Sequence, residues 1–337
     1  MQVAEMLIAA VLAVSASGGF AATDLAHPPL SAPVKVIFDT DMCSDFDDAG
    51  ALGCLHALAD RGLCEILATV SCTRGSHAVA MCEIINSYYG RPDIPVGSVK
   101  GMGVGSDRPP SEKDGIYGWE VAKYAKWIRH LDSNDAPDAL DVYRKVLSAQ
   151  PDRSVVICSV GFFTNLRKLV EADRDLVARK VRKWVAMGCF YPKGNECNSK
   201  SDAASTKIAL ENWPTPVVFS DFQYGVDCIA GKGARACSVE GSPVVDIFRR
   251  FGGRSAWDET AVLAAVYGPE KYFGTERGTF RMTGKGGENE WIPDAKNGPH
   301  LRIVEKVPKA DVAGAIDELI CRGASPRSAT GTRPASP

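Results

Sequence analysis

Five aspartates fall within ten residues of the chain, in "DTDMCSDFDD" (39–48): Asp39, Asp41, Asp45, Asp47 and Asp48. Two unit charges about 4 Å apart repel by about 4 kcal/mol at an effective dielectric near 20. A few such pairs would cancel most of the roughly 5–15 kcal/mol that keeps a domain folded. The carboxylates must therefore point apart, take up protons or share a cation. An all-oxygen set favours a hard ion, Ca2+ or Mg2+. Asp45 is equally well explained as a helix cap, but a cap needs one acid, not five.

Two kinds of acidic loop are tested first. An EF-hand starting at Asp39 needs glycine at its sixth position and glutamate at its twelfth, where the chain has Ser44 and Gly50. That reading fails. A magnesium-dependent phosphatase of the haloacid dehalogenase type also opens with a strand and DxD. It continues with Thr or Val two residues after the second Asp, where this chain has Cys43. No clear downstream Lys or second acidic pair completes it, so it stays a weak alternative.

The elements around the aspartates predict how they are held. "VKVIF" (34–38) reads as a strand with the acids at its carboxyl end. From Asp47, apolar residues at Ala49, Leu52, Leu55 and Leu58 have helical spacing, with Asp47 and Asp48 in the first turn and Gly62 as the stop. "EILATVS" (65–71) is the next strand, which makes a βαβ unit and implies a parallel sheet. Further strands are expected at 154–160, 183–188 and 216–222, with helices after 160, near Ala203 and over 257–268. "GTFRMTGKGGENEWIP" followed by "HLRIVEKV" predicts a small antiparallel excursion before a last helix ending near Cys321. The expected fold is α/β: an open, mostly parallel sheet with helices on both faces. In such sheets ligands bind beyond the carboxyl ends of the strands, where these motifs would meet.

In that setting, "DTDMCSDFDDA" resembles the calcium-binding signature of the inosine-uridine-preferring nucleoside hydrolase family, with two extra residues between Asp41 and Asp47. Three further stretches match in family order: "SVGFFTNL", "GNECNSKSDAA" and "SAWDETAVLAA". The resemblance spans about residues 34 to 310 and implies calcium-dependent hydrolysis of the N-glycosidic bond of a nucleoside or related N-riboside. It implies a Ca2+ held by Asp41, Asp48, Asp258 and the Thr164 carbonyl, with Asp41 activating the water on the ion. Asp47, Glu196, Asn198 and Asp258 would bind the sugar, and Asp39 would brace the loop. A homodimer or homotetramer is the family expectation.

Two departures bear on how the base leaves. The family often has His before the last Asp, where this chain has Trp257, a residue that could pack in the core or stack on the base. The family's Asn-bearing loop after the second strand reads "SCTRGSHA", with no Asn in the expected place. His77 and His130 are then the candidate proton donors. Tyr117 and Trp119 in "DGIYGWE" could form a lid, or simply anchor a loop. A secreted sugar- or nucleoside-binding protein without turnover is the remaining alternative, and the presence of Asp41 argues against it.

The rest of the chain bounds these readings. Its 337 residues are 45% hydrophobic and 24% charged, with net charge -2, so nucleic acid is not an expected partner. "MLIAAVLAVSA" followed by "GFAA" suggests a secretory signal over residues 1–22 and an exported, periplasmic or secreted, protein, although the region before it carries Glu5 and no Lys or Arg. One hydrolase-like domain is expected over 33–322, without a membrane span, and a disordered tail over 323–337. In an oxidising compartment, Cys228 and Cys237 are the expected disulfide pair.

Overall fold

The computed structural model describes residues 32–43, 45–110 and 116–323. The proposed signal segment, and all of the proposed tail after Gly323, lie outside them. Twelve strands are described: β1 (Val34–Thr40), β2 (Cys64–Ser71), β3 (Val96–Ser98), β4 (Val155–Ser159), β5 (Val181–Met187), β6 (Lys193–Gly194), β7 (Val217–Ser220), β8 (Ile229–Ala230), β9 (Arg254–Ser255), β10 (Phe273–Met282), β11 (Asn289–Pro293) and β12 (His300–Glu305). Ten of them form one sheet in the order β3-β2-β1-β4-β5-β7-β12-β10-β11-β6. From β3 to β12 every pairing is parallel; β10, β11 and β6 continue antiparallel at one edge. The expected α/β architecture, with its antiparallel excursion, is what the chain forms. The two-residue strands β8 and β9 make a separate small ribbon.

Alternation along the strands divides the core in two. Val36 and Phe38 face one layer, with the helices Asp47–Asp60, Trp257–Tyr267 and Lys309–Ile320. Ile37 faces the other, with the helices Ala139–Ser148 and Thr164–Lys180. The helix Asp47–Asp60 departs from its predicted amphipathic form: every residue from Asp47 to Leu58 is buried. Gly50 and Gly53 explain this, since Glu259 and Val244 of neighbouring helices occupy the space their side chains would fill. Gly62, at φ 72°, provides the left-handed stop.

The cysteine pairing differs from the expected one. Cys237 is bonded to Cys321 at the end of the last helix. Cys228 faces the core with its thiol toward the Lys309 carbonyl, so the loop between 228 and 237 separates the two side chains rather than joining them. Among the described residues, no helix is long and apolar enough to cross a membrane.

Candidate active site

The chain runs from β1 outward to β2 and β3, then returns to place β4 on the other side of β1. The loops after β1 and β4 therefore diverge, which opens a crevice at the carboxyl ends of these strands. A cleft of about 140 Å³ lies there, lined by Asp41, Asp45, Asp47 and Asp258 on one side and by Glu196 and Asn198 on another. Val160, Met187, Cys197, Phe222, Arg254 and Trp257 complete its wall. Its volume is below the 300–1,000 Å³ usual for drug-sized ligands, which suits a compact sugar. Gly161 makes the floor possible: a Cβ there would lie 2.5 Å from the Asp41 amide nitrogen and 2.8 Å from the Asp41 Cβ.

The carboxylates are not spread apart. Asp41, Asp47, Asp48 and Asp258 are all buried, and one carboxylate oxygen from each of Asp45, Asp47 and Asp48 lies within 4.8 Å of the others. Burial raises the carboxyls of Asp41, Asp48 and Asp258 well above the usual range, and neighbouring acids raise them further. Asp47 is pushed up to about 7 by burial and by Asp45, against the opposing charge of Arg254. Arg254 answers two of the acids, since its Nε donates to Asp47 at 2.9 Å and a terminal nitrogen donates to Asp45. Among the described residues, no basic side chain pairs with Asp41, Asp48 or Asp258. Among the described residues, the Asp48 carboxylate has only the Thr40 hydroxyl. Three buried carboxylates thus remain without a counter-charge, a donor set that fits a hard divalent cation.

Asp39 stands outside the cleft. It accepts from the Tyr143 hydroxyl at 2.7 Å and from Asn165 Nδ2 at 3.3 Å, and burial raises it to about 7. Asn165 also donates to the Ser71 carbonyl at 3.0 Å, so this side chain ties the end of β1 to the end of β2.

Glu196 and Asn198 reach the cleft from a short cap. Glu196 accepts from the backbone amides of Cys189, Asn198 and Ser199 at 2.9, 2.6 and 2.6 Å, which fixes its carboxylate. Asn198 Nδ2 donates to the Val160 carbonyl at 2.9 Å. Thr164 is not brought to the cleft. As the first residue of the helix Thr164–Lys180 its carbonyl points along the helix, and its hydroxyl donates to Asp202 at 2.6 Å. Val160, four residues earlier, does line the cleft, and its carbonyl accepts from Asn198, another lining residue.

Trp257 both packs and lines the cleft. Its indole N–H donates to the Phe222 carbonyl at 3.0 Å, and its ring stacks on Phe222 with centroids 5.2 Å apart. Neither candidate histidine reaches it: His77 lines a neighbouring cavity, and His130 bonds Glu83 at 2.8 Å. Tyr117 is a buried anchor whose hydroxyl donates to the Asp45 carbonyl at 2.6 Å, while Trp119 is 47% exposed. Arg254 is the site residue the sequence reading missed; its two partners lie 207 and 209 residues away.

The family description that matches the chain is the inosine-uridine preferring nucleoside hydrolase, over residues 36–317. No curated protein matches. Among solved structures, a plant nucleoside hydrolase, PpNRh1, superposes with a TM-score of 0.68 at 20% identity, covering 86% of this chain and 99% of that one. An inosine-guanosine nucleoside hydrolase gives 0.65 at 19%, covering 85% and 98%. The Bacillus anthracis inosine-uridine preferring nucleoside hydrolase gives 0.66 at 14%, covering 86% and 99%. At these identities the structures speak for the fold, and the match over 36–317 speaks for the family. The phosphatase alternative is set aside: the chain belongs to the inosine-uridine preferring nucleoside hydrolase family and is a hydrolase acting on N-glycosyl bonds.

Proposed function

We propose that the protein is a calcium-dependent N-ribohydrolase acting on nucleosides or related N-ribosides, with Asp41 as its general base. The observation that carries this reading is the trio of buried carboxylates, Asp41, Asp48 and Asp258, that no basic side chain answers among the described residues. The ligand set comprises these three and the Val160 carbonyl, in place of Thr164. That carbonyl accepts one bond from Asn198 and has a second lone pair free for a cation. A calcium ion in this set would orient the sugar hydroxyls and acidify a water.

The chain's own groups do the rest. Asp41 takes a proton from the attacking water, whose oxygen bonds the anomeric carbon as the C–N bond breaks. Asp47, Glu196 and Asn198 hold sugar hydroxyls, and bonds to those hydroxyls strengthen as positive charge develops on the sugar. Trp257 offers its face to the base, its N–H being occupied by Phe222. The Cys237–Cys321 disulfide supports export, because such bonds persist in oxidising compartments. Residues 33–322 would act as one catalytic domain, assembled as a homodimer or homotetramer.

Release of free base from nucleosides, measured with calcium and with a chelator, tests the reading. Turnover with calcium and its loss with the chelator are expected. Unchanged turnover in the chelator would remove calcium from the mechanism, and no turnover with any riboside would leave the cleft as a binding site alone.

A further inference from the structure

Arg254 raises a question that anchoring two aspartates does not answer. Its guanidinium carbon lies 5.3 Å from the centroid of the Trp257 ring and 5.4 Å from that of Phe46. Nε and one terminal nitrogen are taken by Asp47 and Asp45, which leaves the second terminal nitrogen without a hydrogen bond among the described residues. Among the described residues that line the cleft, it is the one basic side chain. A guanidinium is charged at every working pH and here is held from two sides.

Carboxylates and Asn198 line part of the cleft, and the stacked rings of Phe222 and Trp257 line another part, with Arg254 between Asp47 and the Trp257 ring. A sugar suits the carboxylates and Asn198, so its leaving group projects toward the wall of Trp257 and Phe222, where Arg254 sits. No histidine lines the cleft among the described residues, and the indole N–H is already bonded. When the glycosidic bond breaks, its electron pair goes to the leaving nitrogen; in the proposed function the carboxyls of the cleft serve the cation and the sugar, and no imidazole stands beside it among the described residues. Negative charge therefore develops on the leaving nitrogen, and the guanidinium nitrogen that neither Asp45 nor Asp47 takes is the donor on that wall.

We propose that Arg254 stabilises the departing base as an anion and so selects leaving groups that gain negative charge over those that depart neutral. This rests on the hydrolase reading above. In the step, the C–N bond breaks toward nitrogen and the water oxygen, its proton taken by Asp41, bonds the anomeric carbon. The released anion takes a proton from solvent. With nicotinamide riboside the leaving nitrogen starts cationic and departs neutral, so a hydrogen bond from Arg254 has no developing negative charge to stabilise.

The test compares wild type, Arg254→Gln and Arg254→Lys in calcium, with kcat and KM for uridine and for nicotinamide riboside. Removing one preorganised donor from a developing anion costs roughly 10²–10³-fold in kcat. Arg254→Gln is expected to lose about that much on uridine, and at most a tenth of that loss on nicotinamide riboside. Arg254→Lys, which keeps the charge, should recover part of the uridine rate without changing the order of the two substrates. Equal losses on both would overturn the proposal and leave Arg254 as an anchor for Asp47. If Arg254→Gln melts far below wild type, the lysine variant decides: a loss confined to uridine supports the proposal, and an equal loss opposes it. Wild type that cleaves neither substrate would fail the hydrolase reading itself, an outcome distinct from equal losses.

Discussion

Asp41 is the proposed general base, and its replacement gives the sharpest single-residue test. An amide at 41 can still offer an oxygen to a cation but cannot accept a proton from water. Asp41→Asn should therefore lower kcat by at least ~10²-fold, the lower end for a general base, with circular dichroism unchanged. A variant that keeps more than about a tenth of the wild-type kcat would remove Asp41 from that role. These polar residues were legible in the sequence because their chemistry demands particular side chains: Asp41, Asp47, Glu196, Asn198 and Asp258 all line the cleft. Val160 was not, since a backbone carbonyl leaves no trace in residue type. The proposal of Val160 in place of Thr164 therefore rests on the cleft's lining. Arg254 was hidden for another reason: its ion pairs span more than two hundred residues, and no local pattern marks such a contact.

At the level of elements, the site depends on how closely β1 and β4 end. Val160 N–H bonds the Asp39 carbonyl at 2.7 Å, and the next residue, Gly161, presses on the Asp41 backbone. A methyl group at 161 would also meet Cys72 Sγ at 2.7 Å, so three segments would have to part. Gly161→Ala should shift Asp41 by a substantial fraction of an ångström. Misplacement on that scale costs about 10²-fold in rate. The expected outcome is a comparable fall in kcat/KM and weaker calcium binding by isothermal titration, with folding retained; wild-type values for both would show that the strand ends yield freely. The parallel strands were legible because β-branched runs recur between helical patterns, and β1, β2, β4, β5 and β7 all form where that pattern placed them within a few residues. The strands β3 and β6, of three and two residues, were not: segments so short carry no periodicity, and their pairing partners decide them.

Across the whole molecule, the buried acids make stability depend on pH, and under the proposed function on calcium as well. Burial raises Asp39 and Asp47 to about 7 and lifts Asp41, Asp48, Asp258 and Glu259 well above their ordinary values. Without a cation, the folded chain keeps protons that the unfolded chain loses between about pH 4 and pH 7. Stability then falls as pH rises through that window, because the native state binds more protons there. His300, lowered to about 4 by burial, acts in the opposite direction between pH 4 and 6.5, but it is one group against six. Calcium bound as proposed would oppose this dependence, since it would bind the deprotonated carboxylates of the folded state alone. At a hundred times its dissociation constant a ligand adds about 2.7 kcal/mol, or roughly 5 °C in Tm for a domain of this size. Chelator-treated protein should melt higher at pH 5 than at pH 8, and millimolar calcium should raise Tm by roughly that amount at pH 8 and by clearly less at pH 5. Differential scanning fluorimetry at the two pH values, with and without calcium, measures all four melting points. A calcium shift equal at both would place the ion away from these carboxylates, because only ligands that must lose protons make its binding depend on pH in this range.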